Sequence, residues 1–167
     1  MLNKQVLLEG QRIYLRILTV NDASEKYCSW INDSDVNKFL ESKKITIEEL
    51  QEYIENKYNN LNCIFLGIFL KNNNVHIGNV KLEPIDFKEK KATLGILIGE
   101  KNCWGKGYAT EALKMLISYS FNKINLKEID LGVKKKNVGA LKSYNKAGFE
   151  IYEETEEVYK MKIVRSR

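Results

Sequence analysis

The chain is short of the residues that staple small folds. It has three cysteines, Cys28, Cys63 and Cys103, widely spaced and odd in number, and one histidine, His76. Neither a disulfide framework nor a Cys/His metal site can be assembled from that set, so no metal is expected. Two of the cysteines lie in apolar patterns typical of buried free thiols, which fits a reducing compartment. The single proline, Pro84, stands at the end of an apolar run, where a missing amide donor is tolerated, and no linker, repeat or low-complexity segment is found. No apolar run approaches the length of a membrane span, and the start, Met1 to Glu9, has too short an apolar stretch for a signal peptide. A cytoplasmic protein without a membrane partner is the expectation. A strong excess of one charge is also missing. The net charge is +5, and its one basic run, Lys134 to Lys136, reads as a solvated turn or a neighbour of a bound phosphate, so nucleic acid is not the expected partner.

What remains is a pattern for one domain over residues 1–167, long enough to bury a core without metal or disulfides. Arg12 to Ile17 alternates as a half-buried first strand. Asn21 and Asp22 offer a cap for a helix running to about Asn32, Asp33 to Asp35 caps a short helix over Val36 to Leu40, and Thr46 with Glu49 forms a capping box ahead of Ile47, Leu50, Ile54, Tyr58 and Leu61. Cys63 to Leu70 and Val75 to Leu82 read as a hairpin turning at Asn72 to Asn74, with Asp86 to Lys90 as the next reversal and Ala92 to Ile98 as the fourth strand. A helix stripe from Ala109 to Phe121 and a strand from Glu128 to Val133 complete a right-handed crossover, which makes the fourth and fifth strands parallel neighbours. A helix over Val138 to Ala147, closed by Gly148, precedes strands at Phe149 to Tyr152 and Val158 to Val164. The class is α/β (α+β): a mixed, mostly antiparallel sheet of six to seven strands with about four helices.

The organising stretch is Gly95 to Leu113. An apolar strand runs through a loop with Gly105 and Gly107 into the N-terminus of an amphipathic helix. Glycine can take backbone angles closed to other residues, so the amides of residues 103 to 109 can turn toward one point, where the unpaired first amides and the dipole of the helix favour a phosphate. A P-loop needs four residues between its glycines and Ser or Thr after Lys106. Five residues separate Gly99 from Gly105, and Gly107 follows the lysine. A dinucleotide fingerprint needs glycine where Thr110 stands.

Asn102-Cys103-Trp104-Gly105-Lys106-Gly107 resembles motif A of the GCN5-related N-acetyltransferases (GNAT), Gln/Arg-x-x-Gly-x-Gly/Ala, with Asn in place of Gln or Arg. Asn137, Ala140, Tyr144, Lys146, Gly148 and Phe149 resemble motif B, Asn-x-x-(Ser/Ala)-x-x-x-Tyr-x-Lys-x-Gly-Phe. The run Trp104 to Ala112 is similar to the branch that includes the ribosomal-protein alanine acetyltransferases. The resemblance spans roughly residues 12 to 163. It implies a single GNAT-like domain in which acetyl-CoA is bound by Asn102, Cys103, Trp104, Gly105, Lys106, Gly107, Tyr108 and Ala109 at the pyrophosphate, by Ile96, Leu97 and Ile98 along the pantetheine arm, and by Asn137. It also implies direct acetyl transfer to a primary amine, with Tyr144 as general acid toward the departing sulfur. A phenol suits that role because its high pKa keeps it protonated at pH 7.

His76 reads as a packing or surface residue. Glu83, Glu100 and Glu41 are candidate bases because they close predicted elements, and the base stays unassigned. The segment Tyr27 to Leu61 supplies Tyr27, Trp30, Phe39, Tyr53 and Tyr58, some of them for the core and others as walls of an acceptor pocket, which favours a small amine such as a polyamine or an amino sugar, including one carried on a nucleotide. A protein N-terminus and a non-catalytic CoA-binding module are the alternatives. A monomer or homodimer is expected.

Overall fold

The computed structural model describes residues 5–41 and 44–167. One sheet holds β1 (Leu7–Glu9), β2 (Ile13–Ile17), β3 (Ile64–Leu70), β4 (His76–Asp86), β5 (Lys91–Ile98), β6 (Glu128–Lys134), β7 (Glu150–Glu154) and β8 (Val158–Val164), in the order β1-β2-β3-β4-β5-β6-β8-β7. All neighbours are antiparallel except β5 and β6. That parallel pair is the expected one, now fifth and sixth because β1 precedes it. β1 has no alternating pattern of its own. It exists by pairing, with Leu7 opposite Arg16 and Glu9 opposite Tyr14.

Among the described residues five α-helices accompany the sheet: α1 (Glu25–Asn32), α2 (Ser34–Asn37), α3 (Ile47–Asn59), α4 (Tyr108–Asn122) and α5 (Val138–Ala147). The α3 capping box forms as expected, with the Thr46 side chain accepting from the Glu49 amide. Two starts differ from expectation. Ser24, not Asn21 or Asp22, caps α1, because the Asp22 carboxylate is spent on Arg16 (2.7 and 2.9 Å) and on the Thr19 amide (2.8 Å). Asp33 caps α2 directly, so that turn begins at Ser34 and ends before Lys38. At the end of α3 the stripe gives out: Leu50 and Ile54 are fully buried, whereas Tyr58 and Leu61 are exposed.

The sheet separates two cores. On one side α4 and α5 cover it from β2 to β8, with Ala112, Leu113 and Leu116 at zero exposure against Ile13, Val80, Ile129 and Met161. Burial of a leucine or isoleucine side chain is worth about 1.5–3 kcal/mol. On the other side α1 and α3 pack Tyr27, Trp30, Leu50 and Ile54 onto Phe65, Phe69 and Leu97, and this cluster reaches no strand beyond β5.

The parallel pair is paired only at its start. Lys91, Ala92 and Thr93 lie opposite Glu128, Ile129 and Asp130, yet β5 continues to Ile98 and β6 to Lys134. Beyond Thr93 the two strands part, leaving a wedge in the sheet that opens toward the glycine loop.

Candidate active site

β5 ends in a turn of 3-10 helix, Lys101–Cys103, and the chain then passes through Gly105 (φ 71°) and Gly107 (φ 82°) into α4. Both glycines are left-handed, a conformation costly for residues with a Cβ. Gly107 is the N-cap of α4 and brings no capping side chain, while the first helical bond runs from the Glu111 amide to the Gly107 carbonyl (3.1 Å). The amides of Tyr108, Ala109 and Thr110 therefore have no partner one turn back. Among the described residues the amides of Gly105, Lys106 and Gly107 also donate to no backbone carbonyl. A Cβ placed on Gly105 would meet nothing within 4 Å, so the cradle faces open space. Unpaired amides, a helix N-terminus and free room fit a pyrophosphate group.

The side chains of the loop divide the work. The Cys103 thiol is buried in the core and donates to Asn102 Oδ1 (3.4 Å), so Cys103 can offer only its main chain. Trp104 is exposed, with its Nε1 donating to the Ile98 carbonyl (2.8 Å). The Gly99 amide donates to the Ile77 carbonyl (2.8 Å), which ties the odd-numbered residues at this end of β5 to β4. By the alternation of a strand, the main-chain groups of Ile96 and Ile98 then point into the wedge and those of Leu97 do not. Leu97 instead joins the α1–α3 core through its side chain.

Sequence reasoning missed Arg12. Its guanidinium bonds Glu111 Oε2 (2.8 Å) and the Lys106 carbonyl (2.7 Å), its amide bonds Glu111 Oε1 (2.8 Å), and it lies 4.6 Å over the Tyr108 ring. One arginine thus braces the loop carbonyl, the first turn of α4 and a loop ring together. Burial pushes the Glu111 carboxyl up, but the Arg12 amide and guanidinium outweigh it and hold the carboxyl below the usual range. With the partners 99 positions apart, no local signal points to this pair.

Tyr144 lies on α5 in the α4-side core, edge-on to Phe149 at 5.8 Å. Its ring is buried, and burial pushes its pKa up to about 12. The hydroxyl has no hydrogen-bond partner among the described residues, yet no fully enclosed polar side-chain atom there lacks one. The oxygen is therefore not fully enclosed, and its raised pKa keeps it protonated at neutral pH. Asn137 caps α5, its Oδ1 accepting from the Ala140 amide (3.3 Å), which is the turn-forming role such a residue plays at a helix start.

Of the three glutamates, Glu83 is held by Lys57 (2.6 Å), Asn60 (2.9 Å) and Lys81 (3.1 Å), near the point where Leu82 pairs with Leu94 and away from the Gly78–Ile98 end beside the loop. Glu100 is beside the loop, but its Oε1 is taken by Trp30 Nε1 (2.8 Å) and Lys26 (3.2 Å). Glu41 is exposed, with no described partner. His76 packs: its ring stacks on Phe69 at 4.7 Å, and Nε2 donates toward the Gly78 carbonyl (2.9 Å) and Asn79 Oδ1 (3.0 Å). Burial lowers its pKa and keeps it neutral. Tyr27 and Trp30 belong to the core, while Tyr53 and Tyr58 reach the surface. An open cleft lined by Glu25, Cys28, Ser29, Asn32, Asp33 and Ile47 shares no residue with the loop or with Tyr144. Among the described residues no group of three or more His, Cys, Asp or Glu could hold a metal, and no helix is long and apolar enough to cross a membrane.

The family profile described as an acetyltransferase (GNAT) domain matches residues 12–150. Probable N-acetyltransferase YjcK of Bacillus subtilis (strain 168) is 31% identical over 156 residues, covering 86% of this chain and 83% of the relative. Among solved structures, a GNAT-family acetyltransferase from Bacillus anthracis aligns with a TM-score of 0.85 at 19% identity, covering 95% of this chain and 98% of the other. The spermidine N-acetyltransferase from Vibrio cholerae in complex with CoA and spermine aligns with a TM-score of 0.81 at 23% identity, covering 92% and 95%. At these identities the structures show a shared fold.

Proposed function

We propose that this chain, which belongs to the GNAT family of acetyltransferases, moves acetyl from acetyl-CoA directly onto the primary amine of a small molecule. N-acetyltransfer is the activity of the family, and the chain is an acyltransferase by that membership. The observation that carries the cofactor assignment is the β5–β6 wedge ending at two left-handed glycines and the open N-terminus of α4. In this reading the amides of residues 105 to 110 hold the pyrophosphate. The inward main chain of Ile96 and the Ile98 amide pair with the pantetheine arm, as a strand edge pairs with a peptide. Tyr144 donates its proton as the carbon–sulfur bond breaks and charge builds on sulfur.

A small amine is supported by the like fold of the spermidine acetyltransferase, which was solved in complex with CoA and spermine. The resemblance of Trp104 to Ala112 to the ribosomal-protein branch supports the second reading, a protein N-terminus. The deciding measurement is thiol release from acetyl-CoA over a panel of polyamines, amino sugars and N-terminal peptides. Turnover of at least one small-amine class is expected. Activity on a single peptide sequence and on no small amine would overturn the acceptor assignment.

A further inference from the structure

The wedge has a closed end, and a carboxylate stands at it. Thr93 and Asp130 are the last paired residues of β5 and β6, and Thr93 Oγ1 donates to Asp130 Oδ1 at 2.6 Å. Both lie on the side of the sheet away from α4, since their neighbours Ala92, Leu94, Ile129 and Leu131 fill the α4-side core. The α1–α3 cover reaches only Leu97, so among the described residues no helix caps this spot. The next positions on the same face are Gly95 and Gly132. A Cβ on Gly95 would meet nothing within 4 Å, and one on Gly132 only Val158 Cγ1 at 3.8 Å. An open glycine floor thus leads to a half-buried carboxylate.

The charges around Asp130 leave it unclaimed. Lys91 on β5 pairs with Glu128 (3.3 Å), Lys162, which stands opposite Asp130 on β8, also pairs with Glu128 (3.5 Å), and Lys160 pairs with Glu153 (3.2 Å). Among the described residues Asp130 has one neutral donor and no cation of its own, so its second oxygen is available to an incoming ammonium. If the pyrophosphate lies at the loop, an extended pantetheine arm brings the thioester toward this closed end. Tyr144 would then meet the sulfur from the α4 side, while the acceptor enters from the other.

Resting on the acetyl-transfer reading above, we propose that Asp130 is the catalytic base for the acceptor amine, with Thr93 as its positioning residue. Asp130 binds the ammonium and takes one proton from it. The nitrogen lone pair then forms the C–N bond, the C–S bond breaks, and sulfur leaves with its electron pair and receives the Tyr144 proton. The second proton shed by nitrogen restores Tyr144, and Asp130 passes the first to solvent, so one net proton is released per amide formed.

The test uses the amine that the full-length wild type turns over fastest in the panel. Asp130→Asn keeps an acceptor for the Thr93 hydroxyl, so the fold and the CoA-induced rise in melting temperature should be unchanged, while kcat/KM for the amine at pH 7 should fall roughly 10²-fold. The deficit relative to wild type should shrink toward pH 10, where an amine increasingly loses its proton unaided. Thr93→Val removes the positioning hydrogen bond but keeps the carboxylate, so kcat/KM should fall by a smaller factor than in Asp130→Asn. Wild-type kcat/KM in Asp130→Asn, or a deficit that does not change with pH and is matched by Thr93→Val, would overturn the assignment in favour of a structural hydrogen bond between strands. Turnover of no amine by the wild type would instead defeat the acetyl-transfer reading and this inference with it.

Discussion

The two faces of the sheet are finished differently. On the α4 side a continuous core runs from β2 to β8, whereas on the other side, among the described residues, the helical cover stops at β5 and does not reach β6, β8 or β7. All five residues of β7 are exposed. A wedge between β5 and β6 sits on the boundary, sealed on one side and open on the other. Such a boundary suits a reaction with two substrates. A thin cofactor arm can enter edge-on between the strands, and the acceptor can approach from the uncovered face without either displacing core.

The largest effect that would sharpen this contrast lies on the sealed side. Tyr144→Phe keeps the ring that packs against Phe149 and removes only the donor, so stability and CoA affinity should stay close to wild type while turnover falls about 10²-fold. Steady-state kinetics beside a CoA titration separate the two. Wild-type turnover would make Tyr144 a packing residue and leave the sealed face without chemistry.

At the rim the expected effects are smaller and fall on binding. A side chain on Gly107 must adopt φ 82°, and its Cβ would stand 3.3 Å from Arg12 Nη2. The left-handed conformation alone costs about 1–2 kcal/mol, so Gly107→Val should weaken CoA binding by roughly tenfold or more. Arg12→Gln keeps a donor but loses the charge on Glu111, and the pair is partly solvated, so a loss of about fivefold is expected, in line with roughly 1 kcal/mol for an exposed pair of good geometry. Calorimetric titration with CoA reads both. If neither variant binds more weakly, the loop is not the anion cradle.

The rim was legible in the sequence because it is written locally. Gly105, Gly107 and the apolar stripe of α4 need only neighbouring residues to declare a loop and a helix start. The brace on that loop was not legible, because Arg12 reads as one polar position of a strand until the fold carries it to Glu111. The same holds for β1, which owes its existence to β2, and for the α1 cap, moved to Ser24 because Arg16 claims Asp22. On the open face the loss is greater. Asp130 looks like any alternating polar residue of β6, and its place at the vertex follows only from where strand pairing stops. Backbone-made features were therefore visible early, and features made by distant side chains were not.

Acid should expose the same division with the smallest effect. Burial pushes the carboxyl of Asp22 up, and Arg16 with the Thr19 amide more than offsets it, holding Asp22 below the ordinary carboxylate value, as Arg12 does for Glu111. A carboxyl with a depressed native pKa is deprotonated in both states at neutral pH. As pH falls through about 4, the unfolded chain takes up protons first, so these pairs stabilise the fold fully above that range and progressively less as pH drops through the lower native values. Melting temperature should accordingly be insensitive to these groups between pH 5 and 7 and decline below about pH 4.5. Glu111→Gln and Asp22→Asn should each flatten part of that decline, but only Glu111→Gln should also weaken CoA binding at pH 7, because Glu111 anchors the brace on the loop whereas Asp22 ties Arg16 at the start of α1 on the opposite face. Equal effects of the two variants on CoA affinity would mean that the loop is not held independently of the α1–α3 cover, and the contrast between the two faces would fail.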